Sequence, residues 1–432
     1  MTPTGKGDSC SVISEVQLFA SWATAASVVP EKFRGSLLIH HPFIKGLAVL
    51  YTPVEKLPDL RTNNTELLLN VSAECNLRCT YCHWFKDHTV LAQPAVIEDR
   101  ILKSFLEKLE SHIRDAQLPR MVIVIHGGEP LLLNKRRFVE LLESLEFIGQ
   151  KTNCNLSASI TTNGTLIDEE WASIFLRHKV SVTISIDGPP EVHNSRRLSL
   201  AGNNTHDRVV RGIEVIKETG GIPLSTLCVC DPTANPIVLL NYFFNVLKVK
   251  AVDFLIPKIN HDDKSAGMYQ EITTFYTKLF DEWYRRYLPR KLKVRICEEI
   301  IKLLLGKTPK THSLYADRMT HVSISPDGTI EPLDNLRIGG NDRVNTGLNI
   351  TTHSIGDVLT NELWLHTYEM ARNLPQGCDT CEFVDCCHGG FIATRWSTAN
   401  GYNNKTVYCQ DIQNILNHAW NVLSNDLEIV AN

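Results

Sequence analysis

No stretch of this 432-residue chain approaches the ~18 consecutive apolar residues of a membrane span, so no bilayer partner is expected. Basic residues are not in excess either. A net charge of −4 leaves no electrostatic footprint for nucleic acid. The N-terminus lacks a basic segment feeding a continuous apolar core. Its mild apolar patch, Val16 to Val29, is broken by Ser and Thr and reads as a helix rather than a signal peptide. There is no internal repeat and no low-complexity tract. A hydrophobic content of 43% and a charged content of 21% are those of a folded globular protein, and the length suggests two or three domains.

Cysteine, by contrast, is plentiful. Thirteen residues, an odd number without an export signal, argue against a disulfide framework and for a reducing cytoplasm that keeps thiols for metals. Three lie at Cys75, Cys79 and Cys82, and five at Cys378, Cys381, Cys386, Cys387 and Cys409. Of the scattered remainder, Cys154, Cys228, Cys230 and Cys297 have apolar neighbours and read as small buried hydrophobes.

Short apolar runs at 66–72, 121–126, 156–161, 180–186, 223–230 and 252–257 alternate with helical patterns near 96–115, 135–147, 168–178, 206–219 and 236–247. This alternation predicts a parallel sheet with right-handed crossovers. The expected fold class is α/β, six βα units making a partial (βα)6 TIM-type barrel. Residues 1–65 form an N-terminal extension, with a possible peptide-binding hairpin around Leu37 to Tyr51. The barrel spans 66–260, a helical linker 261–310, and a Cys-rich region 311–432.

The loop Glu74-Cys-Asn-Leu-Arg-Cys-Thr-Tyr-Cys-His83 follows the first strand and supplies three thiols, one fewer than a closed [4Fe–4S] cluster takes. One iron would stay free for a ligand. A zinc site or a redox CxxC is the alternative for such a triplet taken alone. After the second strand comes His126-Gly-Gly-Glu-Pro130, two glycines that let backbone approach closely beside a carboxylate able to accept from an ammonium.

Together these motifs resemble the radical S-adenosylmethionine (radical SAM) superfamily. The resemblance implies that Cys75, Cys79 and Cys82 hold a SAM-binding [4Fe–4S] cluster, with Tyr81 in the signature and Gly127, Gly128 and Glu129 at the methionyl amine. Ser185-Ile-Asp-Gly-Pro-Pro-Glu-Val-His193, followed by Arg196 and Arg197, resembles a segment of anaerobic sulfatase-maturating enzymes. There Ser185 and Arg197 would reach the SAM carboxylate and ribose, while Asp187 and Gly188 would shape the turn. Thr161-Thr-Asn-Gly164 is a further strand-end turn that could touch the nucleoside.

Cys378, Cys381, Cys387 and Cys409 suit a closed zinc site or a fully ligated cluster. They resemble half of the SPASM auxiliary-cluster pattern. Leu333 and Phe391 stand where the inner cluster's cysteines would be, and Cys386 is a neighbour able to replace Cys387. The resemblance implies two [4Fe–4S] clusters in all, and it makes Asp334 a candidate general base.

The expected function is a cytoplasmic radical SAM oxidoreductase acting on a ribosomally made precursor peptide with a leader segment. Lost inner ligands would leave room for a bulky side chain, which favours a carbon–carbon cyclophane cross-link. The alternative is a sulfatase-type maturase oxidising Cys or Ser to formylglycine. A zinc-stabilised, non-catalytic binding protein stands further off. The partners implied are the peptide and a low-potential donor of flavodoxin or ferredoxin type.

Overall fold

Strand β1, Glu66–Ser72, alternates between two surfaces: Leu67, Leu69 and Val71 are fully buried on one. The same period recurs in β3 (Arg120–Gly127), β4 (Asn155–Thr162), β5 (Ser181–Ser185), β7 (Leu224–Val229) and β8 (Ala251–Leu255). These six pair in parallel and in chain order. The computed structural model describes residues 66–263, 271–306, 314–315 and 321–431. The expected extension over 1–65 and its hairpin lie outside the described residues.

The crossovers are helices α1 (Asp99–Asp115), α2 (Lys135–Thr152), α3 (Glu169–Arg177), α4 (His206–Thr219) and α5 (Pro236–Asn241). Each puts an apolar stripe on the sheet. In α1, Ile101, Phe105, Leu109 and Ile113 recur every fourth residue and are all buried. Truncating one such side chain, Phe105, to Ala costs about 3–5 kcal/mol. The other surface of the sheet mixes polar with apolar side chains. Asn70 pairs with His126, Val124 with Ser159, and Thr161 with Thr183, so these side chains share that face by register.

Three short strands complete a nine-stranded sheet of order β11-β10-β1-β3-β4-β5-β7-β8-β9. They are β9 (Lys293–Val294), β10 (Val322–Ile324) and β11 (Ile330–Glu331). The edge strands β9 and β11 are not paired with each other, so the barrel stays open. β10 lies parallel to β1, with Leu67 opposite Val322. The Cys-rich C-terminal region therefore contributes strands to the barrel's own sheet.

Two further helices, α6 (Thr273–Glu282) and α7 (Arg295–Leu304), follow β8, and α8 (Cys409–Ala431) closes the described chain. No helix among the described residues is long and apolar enough to cross a membrane.

Candidate active site

The cysteine loop leaves β1 and is pinned at both ends. Its strand β2 (Leu77–Cys79) pairs antiparallel with β6 (Arg197–Ser199), so Cys79 faces Arg197, and the Thr80 N–H donates to Arg196 O at 2.9 Å. At the other end Trp84 is buried and its indole N–H donates to Ala73 O at 3.1 Å.

Gly127 and Gly128 serve this loop. The Gly128 and Glu129 N–H groups donate to Ser72 O and Glu74 O, both at 2.8 Å. A Cβ on Gly128 would stand 2.2 Å from Glu74 O, and one on Gly127 2.4 Å from Ser72 O. The backbone brought close by the glycines is thus that of the cysteine loop.

Glu129 is fully buried. It accepts from Thr162 Oγ1 at 2.6 Å, from the Leu131 N–H at 3.0 Å and from the Asn163 N–H at 2.8 Å. Burial raises its pKa, opposed by these donors. An ionised carboxylate offers about four lone-pair sites, so one remains. Glu129 also lies near Cys75, whose thiol burial pushes up to about 12 with help from the Glu129 charge. The Thr161–Gly164 turn completes this corner. The Asn163 amide donates to Asn76 Oδ1 at 2.8 Å and to Cys75 Sγ at 3.7 Å.

Beneath the third cysteine, Arg197 donates to Tyr81 Oη at 2.6 Å, and Tyr81 donates to Asp187 Oδ2 at 2.6 Å. The Arg197–Asp187 distance is 3.8 Å. Arg196 stacks on the Tyr81 ring at 4.3 Å and donates to Val229 O at 2.8 Å. Asp187 is more than a turn former: its Oδ1 also accepts from the Val229 N–H at 3.2 Å, tying β5 to β7. His193 accepts from the Asp187 N–H at 3.3 Å through Nδ1 and contacts Thr205 at 3.1 Å through Nε2. Burial pushes its pKa down to about 3, so it is neutral. Nothing in residue spacing foretold this network, since it runs from Tyr81 to Val229, 148 positions apart.

Asp334 approaches from the C-terminal region. Its Oδ2 lies 3.7 Å from His83 Nε2, an ion-pair distance too long for a hydrogen bond, and it is 1% exposed. Burial alone would raise its pKa. His83 and then His126 and Arg337 outweigh that and hold the carboxyl below the usual range. His83 and His126 were missed at the sequence level, although each sits inside or beside a motif.

Arg337 locks the same region. It donates to Asp87 Oδ2 at 2.6 Å, contacts Glu331, and lies 4.9 Å over the Trp84 ring. Leu333 and Phe391 are both buried in the core, 2% and 1% exposed. At these two positions, where the expectation had missing ligands, the side chains pack into the core and leave no open space of their own.

The four C-terminal cysteines come from three segments. Gly389 and Gly390 have φ of 84° and 80°, and a Cβ on Gly390 would meet Thr406 at 2.5 Å, so the turn after Cys387 touches the loop leading to Cys409. Gln413 Nε2 reaches Cys381 Sγ at 3.4 Å and Cys409 Sγ at 3.8 Å. Burial first, then Cys409, Cys378 and Cys381, raise the Cys387 thiol. Cys386 instead donates to Leu303 O at 3.5 Å. Burial pulls the neighbouring Arg395 down to about 10, still charged at neutral pH.

Among the described residues no three His, Cys, Asp or Glu side chains converge tightly enough to hold a single metal ion. Cys75 feels the charges of Cys79 and Cys82, and Cys387 those of Cys409, Cys378 and Cys381, so the thiols of each set are neighbours. At the first set, buried polar atoms without partners suit a ligand carrying ammonium and carboxylate groups. They are Arg197 Nε, His126 Nδ1 and both side-chain atoms of Asn70.

Comparison with known proteins agrees. The Radical SAM superfamily pattern matches residues 69–237. The cysteine-type anaerobic sulfatase-maturating enzyme of Clostridium perfringens (strain 13 / Type A) is 27% identical over 377 residues, 83% of this chain and 97% of that enzyme. The serine-type anaerobic sulfatase-maturating enzyme of Bacteroides thetaiotaomicron is 24% identical over 410 residues, 87% of this chain and 90% of that one. A solved structure of native anSMEcpe with bound AdoMet and Kp18Cys peptide superposes with a TM-score of 0.73 at 25% identity, covering 85% of this chain and 99% of that one. These relatives overturn the expected cyclophane cross-link. Its physical premise, space left by the missing ligands, is not met at Leu333 and Phe391, whose side chains are packed in the core.

Proposed function

We propose, since this chain belongs to the radical SAM superfamily, that it oxidises a cysteine or serine side chain of a peptide substrate to formylglycine. The observation that carries this reading is similarity to sulfatase-maturating enzymes of both types along 83% and 87% of the chain, well beyond the barrel. Cys75, Cys79 and Cys82 would hold the SAM-binding [4Fe–4S] cluster, and Cys378, Cys381, Cys387 and Cys409 the auxiliary one. When bound, the first cluster and SAM would supply the radical chemistry that removes hydrogen from the substrate Cβ, and the outer cluster would offer a place for the departing electron.

The remaining work falls to side chains. Glu129 keeps one lone-pair site for the SAM amine, and Arg197 Nε offers a buried donor to its carboxylate; Ser185, at the end of β5, adds a hydroxyl on the face shared by Thr161 and Thr183. Asp334, whose carboxyl is held below the usual range, would take the proton released as the carbon–sulfur or carbon–oxygen double bond forms. A thioaldehyde from cysteine then exchanges sulfur for oxygen with water. Free thiols throughout the described residues suit a reducing cytoplasm, and the activating electron comes from a flavodoxin- or ferredoxin-type donor.

The test is mass spectrometry of Cys- and Ser-containing peptides incubated anaerobically with loaded enzyme, SAM and reductant. The expected serine product has lost two hydrogens. The cysteine product has also exchanged sulfur for oxygen, and both react with a hydrazide probe. A two-hydrogen loss that leaves no aldehyde would overturn the reading.

A further inference from the structure

Among the described residues, the only acidic groups that act on the buried cation Arg395 are cysteines. It is fully buried, and its hydrogen bonds go to backbone carbonyls: Nε to Tyr402 O at 3.0 Å and Asn404 O at 3.1 Å, Nη2 to Asn373 O at 3.3 Å. Its Nη1 is buried without a partner and lies against the Gly389 backbone, where a Cβ would stand 3.5 Å from it. Among the described residues no carboxylate forms an ion pair with it. The acidic groups acting on it are Cys378 and Cys387. Arg337, equally buried, is paired with both Asp87 and Glu331.

Burying an unpaired guanidinium is costly. Its Nη1 lies against the turn that follows Cys387, and this offers a remedy, because thiols that ligate iron are thiolates. Four thiolates on a [4Fe–4S]2+ core carry a net charge of −2, and one-electron reduction makes it −3. A fixed positive charge at the cluster's edge favours the more negative state. Charge and hydrogen bonding around the sulfurs are established levers on cluster potential.

We propose that Arg395 is the built-in counter-charge of the auxiliary cluster, holding its reduction potential up and favouring its assembly. With the inner ligands gone, one buried cation sets how readily this single auxiliary cluster accepts an electron. The inference rests on the assignment of Cys378, Cys381, Cys387 and Cys409 as cluster ligands.

The test is an EPR-monitored redox titration of the full chain loaded with both clusters. The Cys75/Cys79/Cys82→Ala chain identifies the auxiliary signal. Arg395→Gln should lower the reduced-to-oxidised ratio at fixed potential at least tenfold, a 59 mV drop for one electron, while Arg395→Lys stays near the unsubstituted value. If Arg395→Gln loads no auxiliary iron but Arg395→Lys does, the charge is again the determinant. An unmoved potential in a loaded Arg395→Gln chain overturns the proposal, as does equal loss of the cluster in both variants. Absence of an auxiliary signal in the unsubstituted chain would instead remove the ligand assignment itself.

Discussion

Cys79 and Arg197 face each other across a two-stranded antiparallel pair. This couples the cysteine loop to the segment after β5, and through Tyr81 the guanidinium also reaches Asp187. The cysteine loop and the Asp187–Arg197 segment are therefore one mechanical unit. Removing Arg197 strands a buried Asp187, so Arg197→Met should lose about 3–5 kcal/mol. Tyr81→Phe deletes one donor to the carboxylate and should lose about 1–3 kcal/mol. Chemical denaturation of the two variants checks the order, and a Tyr81→Phe cost equal to the Arg197→Met cost would contradict it.

Gly128 is limited by backbone. A methyl there would stand 2.2 Å from Glu74 O, and neither side of that contact is a flexible side chain. Gly128→Ala should displace the cysteine loop while leaving the auxiliary cysteines intact. Iron after anaerobic reconstitution should fall from ~8 to ~4 per chain, with SAM cleavage lost. Full iron retention would show that the loop tolerates the shift.

Asp334 and the thiol triplet should separate in function. The carboxylate lies 3.7 Å from His83 and feels His126, while its interactions do not include Glu129 or Arg197, the residues proposed to meet SAM. Asp334→Asn should therefore still cleave SAM while product formation falls by about 10²–10⁴-fold, the range for losing a general base. Parallel assay of 5′-deoxyadenosine and aldehyde decides it. Equal loss of both would assign Asp334 a structural role.

Glu331 gives the fold a pH signature. Burial, only partly offset by Arg337, pushes its pKa up to about 7 from an ordinary 4.5. A carboxyl whose native pKa exceeds its unfolded value binds its proton more tightly when folded. Its contribution is present in full below about 4.5 and is lost as pH rises through about 7. Glu331→Gln, close in shape to the protonated acid, should change stability little at pH 5 and flatten its decline toward pH 8. Melting temperatures across that range test this, and an unchanged slope would place the coupling elsewhere.

The six parallel strands were legible because each is long enough to show period two. β9, β10 and β11, at two or three residues, were not, so the return of the C-terminal region to the barrel edge stayed hidden. The motif residues announced themselves by spacing, whereas their supports did not. Asp187 looked like a turn residue until Tyr81, 106 positions away, supplied its partner. The glycines signalled close approach correctly but not what approaches, because that depends on how β1 and β3 lie side by side.

Adjacent Cys386 and Cys387 are the case where spacing and packing must be weighed together. Spacing favours Cys387 through CxxCx5C, but one residue of slip in a one-turn helix would exchange them. The structure turns them different ways: Cys386 points at Leu303 O on α7, while Cys387 answers electrostatically to Cys409, Cys378 and Cys381. Cys387→Ser should therefore drop iron from ~8 to ~4 per chain and remove the auxiliary EPR signal. Cys386→Ser keeps a donor for Leu303 O and should keep the iron, at a cost of about 1 kcal/mol for a hydroxyl in an apolar site. Because the two residues are sequence neighbours, general unfolding would affect both variants alike, so only a difference between them reports the ligand. Iron loss from Cys386→Ser with retention in Cys387→Ser would reverse the assignment and require the one-turn helix at Val384–Cys387 to rotate when the cluster binds.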